Sequence, residues 1–207
     1  MQIQEIKKYP RVSINFTPEI PPLTKVKDKT KINVRYCLIS PFAYVHIYWN
    51  PEIYELVYEI EEPILNAQEN KYREDMTSAM RNLIDFDTLI DKKEESLLAY
   101  IDHRFKFLAT ELGMNFNYES YKKIYYYLCR DFVGFNEVEP LLRDYFVEDI
   151  ECNGSIVPVY IVHRAYRNIK TNLRFSENEK LEGFVEKLAQ RCSKYISYST
   201  PILDGSL

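Results

Sequence analysis

The hydrophobic period changes along the chain in blocks, and that order restricts the folds open to it more than any single motif. Tyr44 to Trp49 and Ile53 to Ile60 are dense in aromatic and β-branched residues, and Asn50-Pro51-Glu52 between them carries turn chemistry, so the pair predicts a β-hairpin. Alternation in the second run puts Tyr54, Leu56, Tyr58 and Ile60 on one face and Glu55 and Glu59 on the other. From Ile64 to Ile90 the period becomes helical: Pro63 suits a first turn, and Tyr72, Met76, Ala79, Leu83 and Phe86 recur every three or four residues. Leu97, Ile101, Phe105, Leu108 and Leu112 make a second stripe, which Gly113 stops in the left-handed conformation. Asn117 caps a third helix with Tyr121, Ile124, Leu128 and Phe132 on its inner face.

After Gly134 the chain returns to short strands, predicted at Glu148 to Cys152, Val157 to His163 and Ile169 to Phe175, with turns at Asn153-Gly154 and Tyr166-Arg167-Asn168. Ser176-Glu177-Asn178-Glu179 then has capping-box spacing ahead of Leu181, Phe184, Val185, Leu188, Ala189 and Cys192. Strands and helices in separate blocks predict an α+β fold: a β-hairpin and three-helix bundle followed by a small mixed sheet backed by a helix. Three segments follow from this pattern. Residues 1–34 form an extended, basic, proline-containing arm; residues 35–133 the hairpin and helical bundle; residues 134–207 a small α+β subdomain. The arm carries Pro10, Pro18, Pro21 and Pro22, ends in the alternating run Lys25, Lys27, Lys29 and Lys31, and has seven basic against three acidic residues. Such an arm either is solvated or touches an acidic partner or membrane surface.

Composition removes several kinds of chemistry. Only 5 of the 207 residues are glycine, and none of them precedes a lysine. A Walker loop cradles phosphates with successive backbone N–H groups and brings a lysine to the β and γ oxygens, so this chain has no P-loop, and its glycines are too far apart for G-x-G-x-x-G. No ATPase activity is expected of the chain by itself. A net charge of −4 argues against nucleic acid as a partner. Cys37, Cys129, Cys152 and Cys192 form no C-x-x-C, and no histidine stands at ligand spacing beside them, so no metal site is expected. Met1 to Tyr9 lacks the apolar run of a cleavable signal, and no stretch approaches the ~18 apolar residues of a membrane span. A cytoplasmic protein with reduced thiols is expected.

No local pattern assigns a catalytic residue. His46, His103 and His163 fall in different elements, which gives a Cys-His or Ser-His-Asp nucleophile no local support. The run Tyr125-Tyr126-Tyr127 points in three directions on a helix, as core residues do rather than a base-stacking platform. Arg164, Arg167, Arg174, Arg191 and Lys194 lie at predicted strand ends, a turn and a helix end, from which side chains reach a neighbouring domain. A guanidinium suits an anion because its planar fork donates two hydrogen bonds at once. Supplied to a phosphoryl-transfer site from outside, it contributes about 10³ to 10⁵ in rate.

Five segments in order resemble a known family: Pro41-Phe42-Ala43-Tyr44-Val45-His46-Ile47, Arg130-Asp131-Phe132-Val133-Gly134, Glu139-Pro140-Leu141-Leu142-Arg143-Asp144 with Val147-Glu148-Asp149-Ile150, Val157-Pro158-Val159-Tyr160-Ile161-Val162-His163-Arg164, and Pro201-Ile202-Leu203-Asp204-Gly205-Ser206-Leu207. Together they are similar to the amino-terminal half of archaeal type II/IV secretion-system ATPases, the GspE-like group that includes pilus-assembly and archaellum motors. The resemblance covers roughly residues 35–207. It implies a homo-hexameric motor, peripheral at the inner face of the membrane, whose carboxy-terminal RecA-type domain lies beyond this chain and binds ATP and Mg. The amino-terminal domain then closes over the nucleotide and passes movement to a membrane platform protein. By position the resemblance nominates Arg164 and Arg191, with Lys194 weaker, as nucleotide-facing clamp residues. Two departures stand out: the nucleotide-facing arginine of the family's Pro-Asp-Gly-Ser-Arg run is absent where this sequence has Asp204-Gly205-Ser206-Leu207, and Arg167 replaces the glycine that many members carry after the aromatic of the strand turn. A stand-alone docking module for a secretion platform and an unrelated enzyme with a dispersed site are the alternatives.

Overall fold

The computed structural model describes residues 9–23, 26–83, 94–197 and 199–206. The fold is α+β, and among the described residues it has six strands in one sheet and five α-helices. Strands β1 (Asn33–Ile39), β2 (Ala43–Asn50) and β3 (Glu55–Glu61) form an antiparallel meander. Helices α1 (Ala67–Leu83), α2 (Glu94–Glu111) and α3 (Tyr118–Phe132) follow, then the short helix α4 (Glu139–Leu142). The antiparallel strands β4 (Val147–Glu151), β5 (Pro158–His163) and β6 (Arg167–Arg174) lead to helix α5 (Asn178–Arg191).

The sheet runs β1-β2-β3-β6-β5-β4. Only the β3–β6 pair is parallel, through Val57 with Lys170 and Tyr58 with Thr171. The expected hairpin and the expected later sheet are therefore one sheet, and Asn172 fastens the seam by accepting from Ile60 N–H at 2.9 Å and donating to Ile60 C=O at 3.0 Å. Backbone pairing groups the hairpin with the later strands, whereas the boundaries read from sequence group it with the helices. Two compact units result. One holds residues 1–14 and 63–134, the other residues 15–62 and 135–207, and the chain passes between them at 14/15, 62/63 and 134/135.

The helical unit has an aromatic core. Phe105 stacks on Phe116 and Tyr121 at 5.5 and 5.1 Å between centroids, and Tyr121 stacks on Tyr125 at 6.0 Å. The arm contributes to this core through Tyr9, which packs on Tyr118 and Tyr121, donates its hydroxyl to Phe116 C=O and accepts from Lys106 at its carbonyl, while Lys27, Lys29 and Lys31 of the basic run are exposed. All of Tyr125, Tyr126 and Tyr127 are buried. Asn117 caps α3 by accepting from Ser120 N–H at 2.9 Å, and Gly113 ends α2 with φ +61°.

Three local expectations differ. Helix α1 begins at Ala67, not at Pro63, because Asn66 and Glu69 make a reciprocal cap: Asn66 Oδ1 accepts from Glu69 N–H at 2.9 Å and Glu69 Oε2 from Asn66 N–H at 2.8 Å. Met76 and Met80 are its buried apolar residues, while Leu83 is exposed; Phe86, like Lys25 of the arm, lies outside the described residues. Ser176 does not cap α5, since its hydroxyl accepts from Lys180 Nζ instead and Glu177 holds the capping position with no side-chain bond. Strand β1 escapes the sequence pattern, although Tyr36 and Leu38 alternate inward.

In the sheet unit, alternation selects one buried face: Tyr36 and Leu38 on β1, Val45 and Ile47 on β2, Leu56 and Tyr58 on β3, Ile169 and Thr171 on β6. Strand β5 adds Val159, Ile161 and His163 in the same rhythm. That period of two carries a histidine to full burial. Phe16 and Ile32, from the part of the arm in this unit, are also buried, and Asn15 bridges to Ser40 through both backbone hydrogen bonds.

Candidate functional site

Buried polar groups in the sheet unit converge on Asp144, which follows α4. Its Oδ2 accepts from the hydroxyls of Tyr36 on β1 and Tyr58 on β3, both at 2.7 Å, and its Oδ1 accepts from Phe146 N–H at 2.8 Å. Burial, followed by the charge of Asp144, pushes both phenols far above their ordinary range, so they remain donors.

His163 completes the network. Ala165 N–H donates to its Nδ1 at 3.2 Å, which places the ring proton on Nε2; that nitrogen donates to Tyr36 Oη at 3.3 Å while Tyr36 passes its own proton toward Asp144. Tyr166 stacks on the imidazole at 4.9 Å between centroids. Burial is the largest influence on the imidazole and lowers its pKa below the ordinary 6.5, against the pull of Asp144 and Glu148. With its four side chains buried, this chain of hydrogen bonds orients backbone. What it orients is the turn from β5 to β6, where Arg164 N–H donates to Phe146 C=O at 2.8 Å and Tyr166 N–H to His163 C=O at 3.2 Å.

The three cations nominated from sequence occupy two places. Arg164 stands on that turn, where its Nε donates to Glu148 Oε1 at 3.2 Å and its guanidinium lies 4.6 Å from the centroid of Tyr145. Its side chain is 47% exposed, so it is accessible to an anion. Glu148 holds its charge by raising its pKa. Arg191 and Lys194 lie together at the end of α5. Arg191 packs over the ring of Phe135 at 5.5 Å, and burial lowers its pKa against the opposing charge of Glu139. Glu139 is itself fully buried, accepting from Phe135 N–H at 2.8 Å and from Arg143 Nε at 2.5 Å. Lys194 Nζ donates to the carbonyl of Asp204. Next to that contact Gly205 is pressed on Cys192, where an added Cβ would meet Sγ at 2.9 Å. Lys194 thus secures the Asp204-Gly205 segment to the helix end.

Asp144, His163, Tyr36 and Tyr58 were not singled out by their chemistry in the sequence. The inward alternation of Val159, Ile161 and His163 was the available signal for the histidine. Nothing local links Asp144 to tyrosines 108 and 86 positions away.

No protein-family model matches the chain. It is similar to the uncharacterized protein MJ1288 of Methanocaldococcus jannaschii, with 35% identity over 151 residues, covering 72% of this chain and 59% of that protein. It is also similar to the uncharacterized protein MJ0900 of the same organism, 24% identical over 203 residues, covering 88% of this chain and 36% of that protein. The chain therefore spans less than two thirds of the length of either relative. Among the described residues, no helix is long and apolar enough to cross a membrane.

Proposed function

We propose that this chain is the amino-terminal regulatory and assembly domain of a hexameric secretion or pilus-assembly motor ATPase of the GspE-like group. The observation that carries the proposal is where the family-like segments fall. Of the seven buried polar or charged residues among those described, Arg130, Glu139, Asp144 and His163 belong to these segments. Burying such groups is costly unless each is paired, so they mark positions where the fold demands a particular partner rather than a general hydrophobicity. Their place within the segments on which the resemblance rests supports the proposal. Arg167 supports it further: its φ of +65° lies in the left-handed region that favours glycine, the residue many members carry there.

In the proposed motor, a carboxy-terminal RecA-type domain holds ATP and Mg, and this domain closes over them without a phosphate loop of its own. It works in the cytoplasm at the inner face of the membrane and transmits movement to a platform protein. All three cations have partners within their own unit, but Arg191 is half-buried and Lys194 holds the Asp204 carbonyl, so Arg164, with a 47% exposed side chain on the β5–β6 turn, is the strongest of the three clamp candidates. Its fork suits the β or γ phosphate.

The test is ATP turnover by the full-length gene product and by its Arg164→Ala, Arg191→Ala and Lys194→Ala forms. Hexamers with ATPase activity, reduced most by Arg164→Ala, are expected. A product that joins the platform without binding or hydrolysing ATP would favour the docking module instead.

A further inference from the structure

We propose that His163 is a proton-operated latch on the turn that carries Arg164. In the neutral ring Nδ1 is an acceptor, and Ala165 N–H closes on it at 3.2 Å. A proton added to the ring goes to Nδ1, because Nε2 already carries one and faces Tyr36 Oη. The added N–H then confronts the Ala165 N–H, and an acceptor becomes a second donor. Moving Ala165 away from the ring relieves this clash, and Arg164, its neighbour, moves with it against the bond from its own N–H to Phe146 C=O.

The surroundings make the step selective for the turn. Asp144 is reached through Tyr36 and also accepts from Tyr58 and Phe146 N–H, which pin the opposite side of the network. Glu148 on β4 faces the imidazole electrostatically and binds Arg164; Arg164 is the opposing positive charge. Phe146 and Tyr166 flank the ring at 5.5 and 4.9 Å between centroids. Among the described residues, the Tyr166 hydroxyl is the buried side-chain polar atom without a hydrogen-bond partner, so the turn is held on this side by backbone alone, Arg164 N–H on Phe146 C=O at 2.8 Å and Tyr166 N–H on His163 C=O at 3.2 Å. Burial opposes protonation of the closed form, so the open form binds the proton more tightly, and acidification shifts the population toward it.

The test is an NMR pH titration of the isotope-labelled chain from pH 8 to 5, following the His163 ring together with the amides of Arg164 and Ala165. The ring and both amides are expected to move with one midpoint, below the ordinary 6.5. Amide exchange at Ala165, corrected for its intrinsic pH dependence, rises by up to about tenfold per pH unit as the latch opens. A ring that titrates while the two amides stay fixed would overturn the proposal, as would a ring that stays neutral until the whole chain unfolds. His163→Asn, which offers an amide oxygen near the Nδ1 position and does not titrate, should give flat Arg164 and Ala165 profiles. The wild-type profile persisting in that variant would also refute the latch.

Discussion

The buried carboxylates of the helical unit and Asp144 of the sheet unit find their partners in different ways, although Glu139 of the sheet unit is held locally by Phe135 N–H and Arg143. In the helical unit, Asp102 takes Lys106 from the next turn of its own helix and the Tyr121 hydroxyl from α3, and Glu69 takes its own cap, Asn66, with Ser120 at 2.7 Å. In the sheet unit, Asp144 gathers hydroxyls from two strands that precede it by about half the chain. Asp102 and Glu69 fasten neighbouring helices, whereas Asp144 is fastened to the β1-β2-β3 meander from 108 and 86 positions further along the chain. Rings dominate the core of the first unit; a hydrogen-bond hub specifies the second.

The largest expected effect breaks the ring side of that comparison. Phe105→Ala removes a ring that touches Phe116, Tyr121 and Tyr125 and should cost about 3 to 5 kcal/mol, measured by denaturant unfolding with far-ultraviolet circular dichroism. A loss below about 1 kcal/mol would show that the stack is not the core of the helical unit.

Next in size is the contrast between two carboxylates. Asp144→Ala leaves the Tyr36 and Tyr58 hydroxyls and the Phe146 N–H without their acceptor, at about 2 to 4 kcal/mol, with Trp49 fluorescence on β2 as the reporter. Asp102→Ala should cost less, about 1 to 2 kcal/mol, because Lys106 keeps the Tyr9 carbonyl as a partner. Equal losses would erase the distinction between a hub and a fastening between neighbouring helices.

Acidification acts on the sheet unit through His163. Its pKa is depressed in the fold, so the unfolded chain takes up the proton first. The His163 contribution is complete above the ordinary value of 6.5 and declines as pH falls below it, by at most about 1.4 kcal/mol per pH unit until the folded-state pKa is reached. The difference in unfolding free energy between wild type and His163→Asn, followed from pH 8 to 5, should shrink toward acid. A difference independent of pH would contradict neutral burial.

Arg167→Gly gives the smallest effect. Relief at φ +65° is partly offset by glycine's freedom in the unfolded chain, for a net gain of at most about 1 kcal/mol. A clear loss in melting temperature would mean that the side chain itself holds the turn.

These elements also show what can be read before a structure exists. Asn117, Gly113 and the stripe through Ile101 and Phe105 were legible because cap, stop and period all lie within a few turns of one helix. Pro63 is a generic first-turn signal, whereas the reciprocal bonds of Asn66 and Glu69 that start the helix become evident only with side-chain geometry. The single sheet was hidden because β3 and β6 join across a helical insertion, and the Asn172 that fastens them is over a hundred residues from Ile60. The sequence places Arg164 at a strand end with the turn at Tyr166-Arg167-Asn168, whereas the turn spans residues 164–166 and Arg167 opens β6. The network beneath that turn was not visible, since its members come from four separate elements and only His163 leaves a trace in the local alternation.

The most direct test of the proposed motor is steady-state ATP hydrolysis by the full-length hexamer with and without Arg164→Ala. A fall in turnover, with the melting temperature unchanged, is the predicted result. Equal turnover in the two proteins would remove Arg164 from the nucleotide site, and a full-length protein that neither binds nor hydrolyses ATP would contradict the motor itself.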